Sequence, residues 1–247
     1  MDNGKHLSNR PIGGACIARG LALLALVCAS ATAWGESLFI TGGEASKDGD
    51  YAFAAAIVPF PGSTLGNGFV QRYWAEWLRY EYVGGPLNQS IEAKAPGGEI
   101  ALGYQKANPS GYFGFYAGGL YRDTSLSPDD PGSKARGGHL RLRVQAEGEH
   151  RFVDTWVVNG IASYVFGQEA YWLRARVLRK VTGNILAGVE GVQHGDPDYE
   201  GHQVGLVVTG FEPAPRLNLG FKIGVKKIEG RSSNGYIGLE LARPFGK

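Results

Sequence analysis

Cysteine and methionine are nearly missing from this 247-residue chain. There are two cysteines, Cys16 and Cys28, and one methionine, Met1. No long hydrophobic run is present either: Leu21–Ala29 is uninterrupted but far short of the roughly 20 residues a membrane helix needs. Neither sign of charge is in excess, with Lys+Arg at 25 and Asp+Glu at 23. That removes any broad electrostatic argument for a nucleic-acid partner. With 43% hydrophobic and 19% charged residues the chain is too apolar to stay disordered. Glycine is abundant, at 39 residues, but follows no Gly-X-Y period, which excludes collagen.

The N-terminus reads as an address. Lys5, Arg10 and Arg19 precede the apolar run, and Ala31-Thr32-Ala33 follows it, the order of a Sec signal peptide with cleavage after Ala33. A lipoprotein reading of Cys28 is disfavoured, because bulky Val27 stands where a small residue is wanted. Residues 1–33 are thus a signal peptide and 34–247 a single domain. Cleavage removes three basic residues and one acidic one, leaving 22 of each. It also removes both cysteines. An exported chain without disulfides must be stabilised by backbone pairing and packing, which favours a large sheet in a Gram-negative envelope protein.

Alternation of period two recurs along the whole domain. Leu140, Leu142, Val144 and Ala146 interleave with Arg141, Arg143, Gln145 and Glu147; Leu217, Leu219, Phe221, Ile223 and Val225 interleave with Asn218, Gly220, Lys222, Gly224 and Lys226. About twelve strands are expected, near 37–43, 51–58, 70–83, 98–106, 112–123, 138–147, 155–166, 171–181, 185–194, 203–211, 217–227 and 235–245. In the third, Val70, Tyr73, Trp74, Trp77 and Leu78 would also make a helical stripe, but aromatic density favours strand. Many strands run to ten residues or more, the length of membrane strands and not of soluble ones. Trp156 and Phe166 point the same way about 25 Å apart, the spacing of two aromatic girdles, and Phe113 with Tyr121 makes a similar pair. The connections 44–50, 84–97, 124–137, 167–170, 195–202 and 228–234 would lie outside and are mostly longer than 59–69, 107–111, 148–154, 182–184 and 212–216. The expected fold is all-β: a single transmembrane antiparallel up-and-down barrel. A twelve-strand soluble sandwich is the rival.

Chemistry is sparse. Ser163, His194 or His202, and Glu190 would have to converge to make a hydrolytic set, and no nucleophile motif supports it. No catalytic residue, cofactor or metal site is assigned. The carboxylates Asp129, Asp130, Asp196 and Asp198 gather in outer loops as a candidate polar surface site, without calcium-loop spacing. Arg141, Arg143, Arg174 and Arg176 face inward with Glu99, Glu147 and Glu190, so Arg–Glu pairs should fill or line the lumen. Truncating Arg174 would then strand its partner. Trp74, Trp77, Tyr171 and Trp172 could stack on sugar rings. The candidate lumen or glycan contacts are Arg141, Arg143, Arg174, Arg176, Glu190, Trp172 and Tyr171.

Several peptides resemble a known family. They are Pro59-Phe60-Pro61-Gly62-Ser63-Thr64-Leu65-Gly66 running into Gln71-Arg72-Tyr73-Trp74, and Tyr121-Arg122-Asp123-Thr124 with Leu126-Ser127-Pro128-Asp129-Asp130-Pro131-Gly132. Asn159-Gly160-Ile161-Ala162-Ser163-Tyr164 is the third. The chain is similar to the BcsS family, named for cellulose biosynthesis. The resemblance implies an outer-membrane barrel accompanying bacterial cellulose production, with outer-membrane lipid as its surroundings. Cellulose or other cellulose-secretion proteins are the implied partners. It transfers no catalytic residue. An outer-membrane enzyme acting on lipid or glycan is the alternative.

Overall fold

The computed structural model describes residues 35–84 and 89–246; the expected signal peptide lies outside them. Twelve strands form: β1 (Ser37–Ser46), β2 (Gly49–Pro59), β3 (Asn67–Gly84), β4 (Gln89–Asn108), β5 (Gly111–Ser127) and β6 (Gly137–Phe152). They continue as β7 (Trp156–Val165), β8 (Ala170–Thr182), β9 (Ile185–Asp196), β10 (Tyr199–Ala214), β11 (Leu217–Ile228) and β12 (Asn234–Phe245). Each pairs antiparallel with its sequence neighbours, and β12 closes on β1 from Ser37↔Phe245 to Ser46↔Tyr236. Closure leaves no free edge. Barrel strands must tilt, roughly 35–45° from the axis.

Alternation sorts the side chains as the sequence requires. Ile100, Leu102, Leu140, Leu142, Val204, Leu206, Phe221 and Ile223 are exposed outward, while Arg72, Glu76, Glu99, Arg143, Arg176 and Glu190 are buried inside. A soluble sandwich would show the reverse. Trp156 and Phe166 stay exposed at the two ends of β7, as do Phe113 and Tyr121 on β5. Phe69 meets Tyr104 edge-on at 5.2 Å in the lower girdle. Above Trp77 the outer face of β2–β4 turns charged: Arg79 pairs with Asp50 at 2.7 Å, and Lys94 with Glu92 at 2.6 Å. That change marks the upper edge of the apolar belt.

The loop asymmetry takes a different form from the expected one. β4 starts at Gln89 and not near 98, because β3 pairs straight through Ala95, Pro96 and Gly97. Pro-Gly reads as a turn in isolation, yet here neighbouring strands hold it extended. Similar extensions lengthen β5, β6 and β10. The 20 residues of β4 reach about 50 Å at this tilt, against about 25 Å for the 10 of β7. β3–β6 therefore stand as a wall above the rest of the rim. The long inner connection 60–66 also has a reason. Leu65 packs against the cluster of Ile57, Val70, Ala101 and Tyr116, so the loop turns in beneath the lumen. Gly66, at φ +77°, donates its N–H to Gln105 at 2.8 Å and accepts from Ala107 at 2.6 Å.

Candidate functional site: the lumen and its outer mouth

Two ion clusters cross the lumen. The first lies on β3–β6. Arg72 grips Glu99 through Nε at 3.0 Å and Nη2 at 2.5 Å, Arg143 reaches both Glu99 and Glu76 at 3.3 Å, and Arg122 pairs with Glu76. Aromatic rings back it. Tyr51, Phe53 and Trp74 stack in a row, with Phe53 and Trp74 parallel at 4.6 Å, and Arg72 sits 4.3 Å from the Tyr116 centroid. Gly103 has no side chain because the Tyr116 ring occupies that space.

The second cluster joins β8, β9, β11, β12 and β1. Arg176 bonds Glu190 at 2.6 Å and Glu240 at 2.6–2.8 Å, and Arg174 adds a 3.2 Å contact to Glu240. Lys222 bridges Glu44 at 3.0 Å and Glu190 at 3.5 Å, while Lys226 reaches Glu44 at 3.5 Å. Gly238 clears the way for the Lys222 stem. The sequence pattern placed Arg143, Arg174, Arg176, Glu99 and Glu190 inside but did not single out Arg72, Glu76, Arg122, Glu44, Lys222, Lys226 or Glu240. Two expected ion pairs do not form. Arg141 bonds Gln168 at 3.1 Å and the Lys134 carbonyl at 2.5 Å, and Glu147 accepts from Tyr112, Tyr116 and Gln145. In both cases a neutral neighbour lies nearer.

Between the clusters remains a cavity of about 360 Å³, lined among others by Trp74, Arg143, Ser163, Trp172, Asp196 and Gln203. Tyr171 borders the cavity, and its hydroxyl turns away to Glu200 at 3.0 Å, near Gln193. The hydrolytic set does not assemble. Ser163 and His194 face inward with Trp172 between them in the register, His202 points outward from β10, and Glu190 is held by Arg176. His194 is bonded to the Tyr199 hydroxyl at 3.1 Å.

The loop carboxylates tether a strap. Segment 128–136 leans over the mouth from the tall wall: Asp130 accepts from Tyr82 at 3.0 Å, and Ser133 donates to Asp198 in the β9–β10 turn. Lys134 pairs with Glu169 at 2.9 Å, and Gln168 donates to Asp196 at 3.2 Å. Asp129 is spent on Arg136, whose hydrogen bonds hold its carboxyl below the usual range. Among the described residues no three His, Cys, Asp or Glu side chains converge as a metal-binding group.

Similar architecture occurs in solved outer-membrane proteins. The COG4313 outer membrane channel from Pseudomonas putida F1 is 11% identical over 86% of this chain and 96% of its own, with a TM-score of 0.52. The β domain of the Bordetella autotransporter BrkA is 9% identical, covering 85% of this chain and 100% of its own at 0.49. The KdgM porin is 14% identical, covering 82% and 97% at 0.45. At such identities the likeness concerns the fold alone. No curated protein matches by sequence. A family model does match, over residues 38–245, from the first strand to the end of the last. The chain is therefore a member of the cellulose biosynthesis protein BcsS family, and its barrel is a cellulose-associated component of the outer membrane.

Proposed function

We propose that the barrel serves cellulose export or assembly without chemistry of its own, by holding the glucan at the cell surface and not by conducting it through an open pore. The observation that carries this reading is the filled lumen. Glu99 and Glu190 side chains are 0% exposed and the arginines gripping them 2–9%, so paired charges occupy the cross-section an open conduit would need. Moving them aside would separate buried ion pairs, which is costly. A holding role needs only a recess reachable from outside.

A deletion strain should lose or alter secreted cellulose, scored by dye binding and glucan analysis. Complementation with the His194→Ala/His202→Ala double variant should restore it. Unchanged cellulose in the deletion strain would sink the reading. Failure of a well-folded double variant to rescue would favour the alternative, an enzyme acting on lipid or glycan.

A further inference from the structure

Between the two ion clusters runs a row of neutral side chains. Gln145 on β6 faces Ser163 on β7, Ser163 faces Trp172 on β8, and Trp172 faces His194 on β9, each in direct register. All four line the cavity. Because the strands tilt, a line drawn across them climbs, so the row rises toward the mouth. Three interstrand steps of about 4.8 Å make it about 14 Å long.

The hydrogen-bonding capacity along this row is incompletely used. Gln203, 5% exposed and lining the same cavity, gives its amide nitrogen to Glu44 at 2.7 Å, but its buried Oε1 has no partner among the described residues. Ser163 enters no side-chain hydrogen bond among them. Gln145 spends its nitrogen on Glu147 at 2.9 Å, which leaves its oxygen as an acceptor. Arg174 lies over Trp172, 5.6 Å from the ring centroid, and Trp172 lines the cavity. His194 is already committed to Tyr199. A buried acceptor without a donor costs stability unless something fills it.

We infer that the Gln145, Ser163 and Trp172 part of this row, joined by Gln203, is a saccharide-binding site for a short stretch of neutral β-glucan, stacked on Trp172 and hydrogen-bonded by Ser163, Gln145 and Gln203, with His194 held outside it by Tyr199. The inference rests on the cellulose-holding reading above and gives it a location. Hydroxyl groups supply the donors that Gln203 and Gln145 lack, and a pyranose ring offers an apolar face to an indole. The charges of the adjoining Arg143 and Arg174 are balanced by Glu76, Glu99 and Glu240, which favours a neutral over an acidic sugar, while their buried Nε–H groups have no partner among the described residues and add donors beside the row. The volume of about 360 Å³ falls within the range of small-molecule sites, roughly 300–1,000 Å³.

The test is titration of the detergent-purified barrel with cellotetraose and, separately, tetragalacturonate, followed by calorimetry. Saturable binding of cellotetraose in preference to the acidic sugar is expected. Trp172→Ala should weaken it about tenfold or more, as lost stacking area predicts. Ser163→Val, which keeps the volume, should weaken it several-fold and serves if the first variant does not fold. Trp156→Phe, on the lipid-facing side at the lower end of β7, should bind like wild type. Absence of cellotetraose binding, preference for the acidic sugar, or binding indifferent to Trp172 and Ser163 would each overturn the site. None of these results touches the deletion phenotype, so loss of cellulose in that strain without binding here would leave the holding reading standing and remove only its location.

Discussion

The two ion clusters solve the same problem with different redundancy. On β3–β6, Glu99 is the only carboxylate that Arg72 meets among the described residues, and the pair is sealed at 2% and 0% side-chain exposure beneath Tyr116. Around β8–β12, charges share partners: Arg176 holds both Glu190 and Glu240, Lys222 holds both Glu190 and Glu44, and Glu240 remains 26% exposed. A buried ion pair is costly mainly when one member is stranded. The first cluster is therefore brittle at Arg72, although Arg143 is shared between Glu99 and Glu76, and the second is tolerant throughout.

Substitutions can break that contrast. Glu99→Leu strands Arg72 in a dry site and should cost about 3–5 kcal/mol, read as a lower midpoint of heat-modifiable gel migration. Glu190→Leu should cost less, about 1–3 kcal/mol, since Arg176 and Lys222 each keep another carboxylate. Arg174→Ala should cost only about 1 kcal/mol, because Glu240 remains bonded to Arg176. Lys134→Ala, breaking an exposed pair of the strap at 49% and 54% exposure, should fall within about 0.2–1 kcal/mol. Equal tolerance of Glu99→Leu and Lys134→Ala would show water reaching the first cluster and erase the difference between the two.

Where the pattern was binary the sequence was readable, and where both faces mixed it was not. β6 alternates cleanly, so Arg141 and Arg143 were placed inside from the period-two pattern alone. β3 presents Val70, Arg72, Trp74, Glu76 and Leu78 to the lumen and Phe69, Gln71, Tyr73, Ala75 and Trp77 to lipid. Apolar and polar residues occur on both sides, which hid Arg72 and Glu76 behind an apparent helical stripe. Glu44 was missed because it was assigned to a loop, whereas β1 continues through Ser46. Pairing of Glu99 with Arg72 joins residues 27 apart in sequence, and Arg143 to Glu76 joins residues 67 apart. Such partners follow from barrel register, which no local pattern contains. The twelve strands and the closed barrel were legible; which charge meets which was not.

The tall wall of β3–β6 makes the rim lopsided, and this gives the molecule a direction in the plane of the membrane. A polymer lying across the cell surface meets a barrier on one side and a low sill on the other, where β7 ends at Val165 and β9 turns into β10 after Asp196. On the sill the strap is tethered at Glu169 and Asp198, above the buried Gln168 of the cavity lining. A neighbouring molecule on the wall side would be kept at a distance. The barrel thus has a front and a back, so rotation about its own axis changes what it can reach.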